Sequence, residues 1–247
     1  MQDILFDILG KQPFILIYAA AVVCSLIRYP RYYDTPLRFF PVLLMYNLLT
    51  EILGTRILND NEWSIVLTDF YYNINWLVYN IYAIIHILYL LYLFHAYLEH
   101  PKLRKAIVAG AAFYGVVSIA NMFIHDFFNQ SQLYAYTLGG LLLIVFSISY
   151  LRQEFRKQEV RGLRLHNLLI WISLGTLVFF VGYTPLKIYR SFMDNDPSAA
   201  LEWIRYAHMG LIYFMYACLL AGFLLMGRMK KPRGSKKPPV RSENQDN

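Results

Sequence analysis

The chain has 247 residues, of which 57% are hydrophobic and only 16% charged, and its mean hydropathy is +0.38. A soluble domain carries about 25% charged residues, so most of this chain is not built to face water. The net charge of +7 sits on loops and a tail, not on a folded basic surface, which argues against nucleic acid as a partner.

Runs of roughly 20 apolar residues span a bilayer core, and seven such runs occur. They predict helices over 13–27, 37–58, 73–98, 106–128, 133–155, 167–189 and 201–227. Helices are expected because open sheet edges cannot be satisfied in lipid, and the alternating ten-residue strands of a barrel are missing. The fold class is therefore an all-α membrane protein, a seven-transmembrane-helix bundle over 1–227. The polar segment 228–247, RMKKPRGSKKPPVRSENQDN, is expected to be a basic disordered tail.

The chain opens MQDILFDILGKQPF, with two acids and no basic stretch before the first apolar run. That is a poor signal peptide, so the first helix is expected to be retained. Cys24 and Cys218 both fall inside helices and indicate no disulfide framework. The basic residues orient the bundle. Segments 28–38, 99–105, 152–164 and 228–247 hold 18 of the 23 Lys and Arg, and they alternate with segments poor in both. With an odd number of helices this predicts the N-terminus outside and the C-terminus in the cytoplasm. The stretch RQEFRKQEVRGLRLH is read as a basic cytoplasmic loop in preference to a short amphipathic extension of the fifth helix.

Once orientation is assigned, each polar residue acquires a depth. Glu51 lies in the outer half of the second helix, with Asn47 one turn before it and Arg56 just after. The third helix begins NINWLVYN and places Asn75, Trp76 and Asn80 at similar depth. The fourth ends SIANMFIHD, with Ser118, Asn121 and His125 on one face. The sixth ends with Tyr183 and Lys187 at i, i+4, and the seventh begins with Arg205 and His208 at i, i+3. The inner halves, such as LLLIVFSISYL and YACLLAGFLLMG, are nearly all apolar.

An ionisable group in hydrocarbon costs about 2.5–3.5 kcal/mol on insertion scales unless it faces protein or water. Polar groups from five helices at one depth are satisfied most cheaply by facing one another. This predicts an outward-opening pocket lined by Glu51, Asn75, Trp76, Asn80, Asn121, His125, Tyr183, Arg205 and His208. Each also has a purely structural reading. Asn and Glu can staple helices, Tyr and Trp form interfacial belts, and Arg56, Lys187 and Arg205 can snorkel to head groups.

Motifs for chemistry are sparse. The seventh helix contains no lysine, which argues against a retinal pigment. HExxH, HxxxH, CxxC, GxSxG and glycine-rich phosphate loops are all absent, so no metal and no cofactor is expected. No repeat of transporter type is visible.

The runs YYDTPLRFFPVLLMYNLLTEILG, NINWLVYNIYAIIHILYLLYLF and QLYAYTLGGLLLIVFSISYL resemble those of small seven-helix integral membrane proteins of Gram-negative bacteria that have no assigned activity. The resemblance implies an inner-membrane location and no chemistry. The leading expectation is a receptor- or sensor-like subunit, or an accessory one, rather than an enzyme. It would bind a small ligand, contact the lipid bilayer and act through a membrane or cytoplasmic partner protein. The alternatives are an enzyme acting on outer-leaflet lipids, a proton-coupled transporter with Glu51 as its protonatable group, and a scaffold without a ligand.

Overall fold

The structure, a computed structural model, describes residues 14–59, 75–124, 126–127, 130–161, 166–192 and 200–228. Side chains are described for these except at 53–59, 75–76, 158–161 and 200–201. The described residues form seven α-helices: α1 (Phe14–Arg28), α2 (Phe40–Asn59), α3 (Asn75–Tyr97), α4 (Pro101–Ile124), α5 (Leu133–Arg161), α6 (Leu168–Phe192) and α7 (Ala200–Leu225). Two 3₁₀ turns, Tyr29–Arg31 and Pro36–Phe39, join α1 to α2.

Six of the seven, over their fully described residues, are long and apolar enough to cross a membrane; the side chains of α2 are described only as far as Ile52. The outer surfaces carry exposed apolar side chains, including Ile27, Val42, Phe113, Val116, Phe123, Val145 and Leu224. In water such a surface would aggregate; against lipid tails it is the expected surface. The chain is a multi-pass membrane protein in contact with the bilayer.

Two boundaries differ from those predicted by five residues or more. The stretch read as a basic loop after 155 continues α5 to Arg161. Lys157 on this extension pairs with Glu154 one turn back, at 2.8 Å, and with Glu99 beyond the end of α3, at 3.1 Å. Gln153 accepts a hydrogen bond from the Glu99 backbone N–H and donates to the Tyr97 carbonyl. These contacts give the polar turns of α5 a partner, so the helix outlasts its apolar run. Second, α4 starts five residues early, at Pro101, a residue suited to the first helical turn because it lacks an N–H that would go unpaired. The tail beyond 228 lies outside the described residues.

Packing neighbours close α1, α2, α3, α5, α6 and α7 into a ring in that order, and α4 packs mainly against α3 and α5. Only a narrow stripe of α4 is buried: Ile107, Tyr114, Ser118 and Asn121. Close approach of α5 to its neighbours requires Gly139 and Gly140. A methyl group at Gly139 would meet Ile87 Cδ1 at 2.5 Å, and one at Gly140 would meet Thr184 Oγ1 at 2.8 Å. Small residues are the usual device for tight helix contact where no hydrophobic force drives association.

The two halves of the bundle differ. At the end where α1 terminates and α7 ends, the ring is filled with Leu90, Leu91, Leu93, Phe94, Leu143, Leu168, Leu169 and Phe223, all almost completely buried. Tyr32, also fully buried, donates its hydroxyl to the Ser25 carbonyl at 2.6 Å. At the same end the last carbonyls of α7 are capped by cationic or imidazole side chains. Arg28 reaches the Leu224 carbonyl, Arg31 the Met226 carbonyl and His166 Nδ1 the Leu225 carbonyl. Such groups complement the negative end of a helix. Toward the other end, the ring encloses a cavity.

Candidate functional site

The cavity has a volume of about 390 Å³. Every ring helix contributes to it: Tyr18 from α1, Asn47 and Glu51 from α2, residues between Tyr79 and Ile87 from α3, Ala135 and Tyr136 from α5, Phe179 to Lys187 from α6, and His208 to Met215 from α7. Pockets of about 300–1,000 Å³, mostly apolar with a few convergent polar groups, are the usual form of small-molecule sites.

Its floor is a polar and aromatic layer. The Asn47 amide donates to the Tyr216 hydroxyl, and the Tyr216 ring lies 4.1 Å from that of Tyr18. Thus the first polar residue of the Asn47–Glu51 pair staples α2 to α7, as polar side chains in membrane bundles do. Glu51, one turn farther along α2, lines the cavity above it.

The α3 wall carries His86. Its Nδ1 lies 3.1 Å from the Tyr82 hydroxyl, one turn away on the same face, and the Tyr82 ring packs on Tyr46 at 5.4 Å. Asn80, also on this wall, is tied to the chain between α4 and α5. Its amide nitrogen donates to the carbonyls of Phe127 and Gln130, each at 2.9 Å. Its oxygen accepts from the Gln132 backbone at 3.4 Å. Asn80 therefore builds the rim of the cavity and has both donors engaged.

The α6–α7 wall is aromatic. Tyr183 stacks on His208 with ring centroids 4.0 Å apart and meets Tyr136 of α5 edge-on at 5.7 Å. Phe180 packs on the same Tyr136 at 5.7 Å. One turn beyond Tyr183, the Lys187 ammonium sits 3.7 Å from the centroid of the Tyr136 ring. No described carboxylate lies within ion-pair distance of that ammonium.

The structure thus brings four of the expected residues to one cavity: Glu51, Asn80, Tyr183 and His208. Asn121 is buried at 2% exposure but not among the lining residues; its amide donates to the side-chain oxygen of Gln132. Asn121 therefore supports a lining residue from behind. Arg205 is exposed on α7, with its guanidinium 5.6 Å from the ring of the exposed Tyr206. With Trp203 and Tyr189, whose rings are 6.2 Å apart, it belongs to an aromatic girdle on the outside of the bundle. The reason is rotation: Arg205 and His208 are three residues apart, and α7 turns His208 inward while leaving Arg205 at the perimeter. The side chains of Asn75 and Trp76 and all of His125 lie outside the described residues.

Lys187, His86, Gln132 and Tyr136 also line the cavity and were not expected there. Lys187 carried a usable signal, since it is one turn from Tyr183 on the same face. Among the described residues no three His, Cys, Asp or Glu side chains gather closely enough to hold a metal ion. Comparison with protein-family models, with curated proteins and with solved structures finds no match.

Proposed function

We propose that the protein is a receptor- or sensor-like membrane subunit that binds a small molecule in the central cavity, with its N-terminus and the cavity on the outer side of the membrane. The observation that carries this reading is the contrast between the two halves of one ring. Polar and aromatic side chains from six helices line a cavity toward one end, and mostly apolar side chains, with a few buried serines among them, fill the other end. The alternation of basic and non-basic loops supports a cytoplasmic position for the filled end. A binding site backed by a solid layer suits detection better than passage, and among the described residues the side chains beyond the Asn47–Tyr216 layer are mostly buried and apolar. A partner protein would carry the response onward.

The test is a thermal-shift screen of small molecules on full-length protein in lipid nanodiscs, repeated on Ala83→Phe. Ala83 lines the cavity, and a phenyl group there occupies ligand space. Compounds that stabilise the native protein should lose their effect in the variant. If every stabilising compound acts equally on both proteins, binding is elsewhere and the reading fails.

A further inference from the structure

Lys187 is the group in the cavity least accounted for by the fold. Its ammonium rests on the face of Tyr136, 3.7 Å from the ring centroid, with no carboxylate among the described residues in ion-pair range. A cation over an aromatic face recovers about 0.5–2 kcal/mol. That offsets only part of the cost of holding a charged ammonium within a membrane bundle. Arg190, at i+3 from Lys187 and exposed, adds positive charge to the same face of α6.

A second donor points to the same place. Gln132 is 6% exposed and lines the cavity, and its side-chain nitrogen is buried with no acceptor among the described residues, as the oxygen of its amide partner Asn121 is buried with no donor. A buried unpaired donor costs about 1–3 kcal/mol. Gln132 stands one helical turn before Tyr136, whose backbone N–H donates to the Gln132 carbonyl at 3.0 Å. Lys187 lies on the ring of that same Tyr136. Lys187 of α6 and Gln132 just before α5 thus both line the cavity, and the rings of Phe180 and Tyr183 stand beside the Tyr136 ring on which the ammonium rests.

We propose that the cavity takes a small carboxylic acid, its carboxylate held by the Lys187 ammonium and the Gln132 amide and its apolar body lying against Tyr136, Phe180 and Tyr183. This rests on the reading of the cavity as a ligand site and names the chemistry that site selects. A monoanion matches the single lysine. A phosphate monoester would bring more negative charge than one ammonium offsets, into a cavity that Glu51 already lines from α2. The α2 helix stands across the six-membered ring from α6, so the carboxylate end of the ligand belongs on the α5–α6 side. The acid has two sources, a free aromatic acid or a fatty acid from the bilayer, and both present the same head group.

The experiment uses the full chain in nanodiscs, titrated with 2-naphthoate, its neutral isostere 2-naphthamide, and decanoate, with affinity read by calorimetry. An ammonium–carboxylate contact in a desolvated site should favour 2-naphthoate over 2-naphthamide by about tenfold or more. Lys187→Met should abolish that preference while changing 2-naphthamide affinity by less than about twofold, which also reports that the variant is folded. Lys187→Arg should keep most of the preference, and Gln132→Leu should weaken 2-naphthoate more than 2-naphthamide. Tighter binding of 2-naphthoate than decanoate identifies a free aromatic acid as the ligand type, and the reverse identifies a membrane-derived chain; either supports the proposal. Equal affinity for acid and amide, with both lost in Ala83→Phe, overturns the carboxylate while leaving the cavity as a binding site. Binding of none of the three overturns the carboxylate proposal outright.

Discussion

The imidazole of His208 lies nearly flat on the ring of Tyr183, with the planes 18° apart and the centroids 4.0 Å apart. This contact ties α7 to α6 at the height of the cavity, and Phe179 closes the cluster with its ring 5.2 Å from Tyr183 and 6.0 Å from His208. Aromatic pairs of this kind are worth about 0.5–1.5 kcal/mol beyond the area they bury. His208→Ala should therefore lower stability by more than His208→Phe, with the difference near 1 kcal/mol. Unfolding of the two variants in the same detergent, combined with Tyr183→Leu in a double-mutant cycle, measures the coupling directly. Zero coupling between positions 183 and 208 would show that the stack contributes nothing.

Asn80 makes a different kind of prediction, because its partners are backbone carbonyls far along the chain. Replacing it with alanine leaves the Phe127 and Gln130 carbonyls without their donor and should cost about 1–3 kcal/mol. The effect should be local. Hydrogen exchange should speed up over 130–136, whose rim Asn80 holds, and remain unchanged at the filled end around Leu90 to Phe94. Uniform acceleration along the whole chain would mean that Asn80 supports the global fold instead of the rim.

Two glycines provide a matched pair. Gly139→Ala places a methyl group 2.5 Å from Ile87 Cδ1 and 2.9 Å from Tyr114 Cε2. Both of those side chains are about 1% exposed and border the cavity, so any retreat they make is into its space. Forced overpacking of this sort costs about 1–3 kcal/mol. Gly115→Ala meets nothing within 4 Å, so helix propensity alone should act, raising stability by about 0.5–1 kcal/mol. Melting temperatures of the two single variants, measured side by side, should move in opposite directions.

Arg205 lies on the exposed side of α7, away from the cavity. Arg205→Gln should leave stability within about 0.5 kcal/mol of the native protein. The affinity of any compound that Ala83→Phe excludes should also be unaffected. A loss of affinity in the arginine variant would place its side chain at the site after all.

The helices were legible from sequence because the bilayer imposes a length and a composition that soluble folds do not. The faces of those helices were not. In water an amphipathic stripe marks the inward side of a helix. In lipid both sides are apolar, as α4 illustrates: Phe113 and Val116 are exposed while Ile107 and Tyr114 are buried. Only polar residues carry a directional signal there, and even these are ambiguous near helix ends. Arg205 and Lys187 both stand near the ends of their helices and both suited a snorkelling reading. The structure turns one outward and rests the other on Tyr136. The residue one turn away does not separate them, since Arg205 stands one turn from the lining residue His208 just as Lys187 stands one turn from Tyr183; the rotation of each helix does. Gln132 escaped attention for another reason: it precedes α5, and its role depends on Asn80 and Asn121 from two other helices.

The capping of α7 by Arg28 and Arg31 has a consequence for how freely this sequence can vary. A cation whose only task is to bias insertion can be exchanged for lysine or shifted along its loop without loss. These two must also span to the carbonyls of Leu224 and Met226 with guanidinium geometry, so their positions are pinned by the far end of the chain. The first turn of the polypeptide after α1 and the last turn before the tail are thereby one joint, and neither can drift unless the other follows.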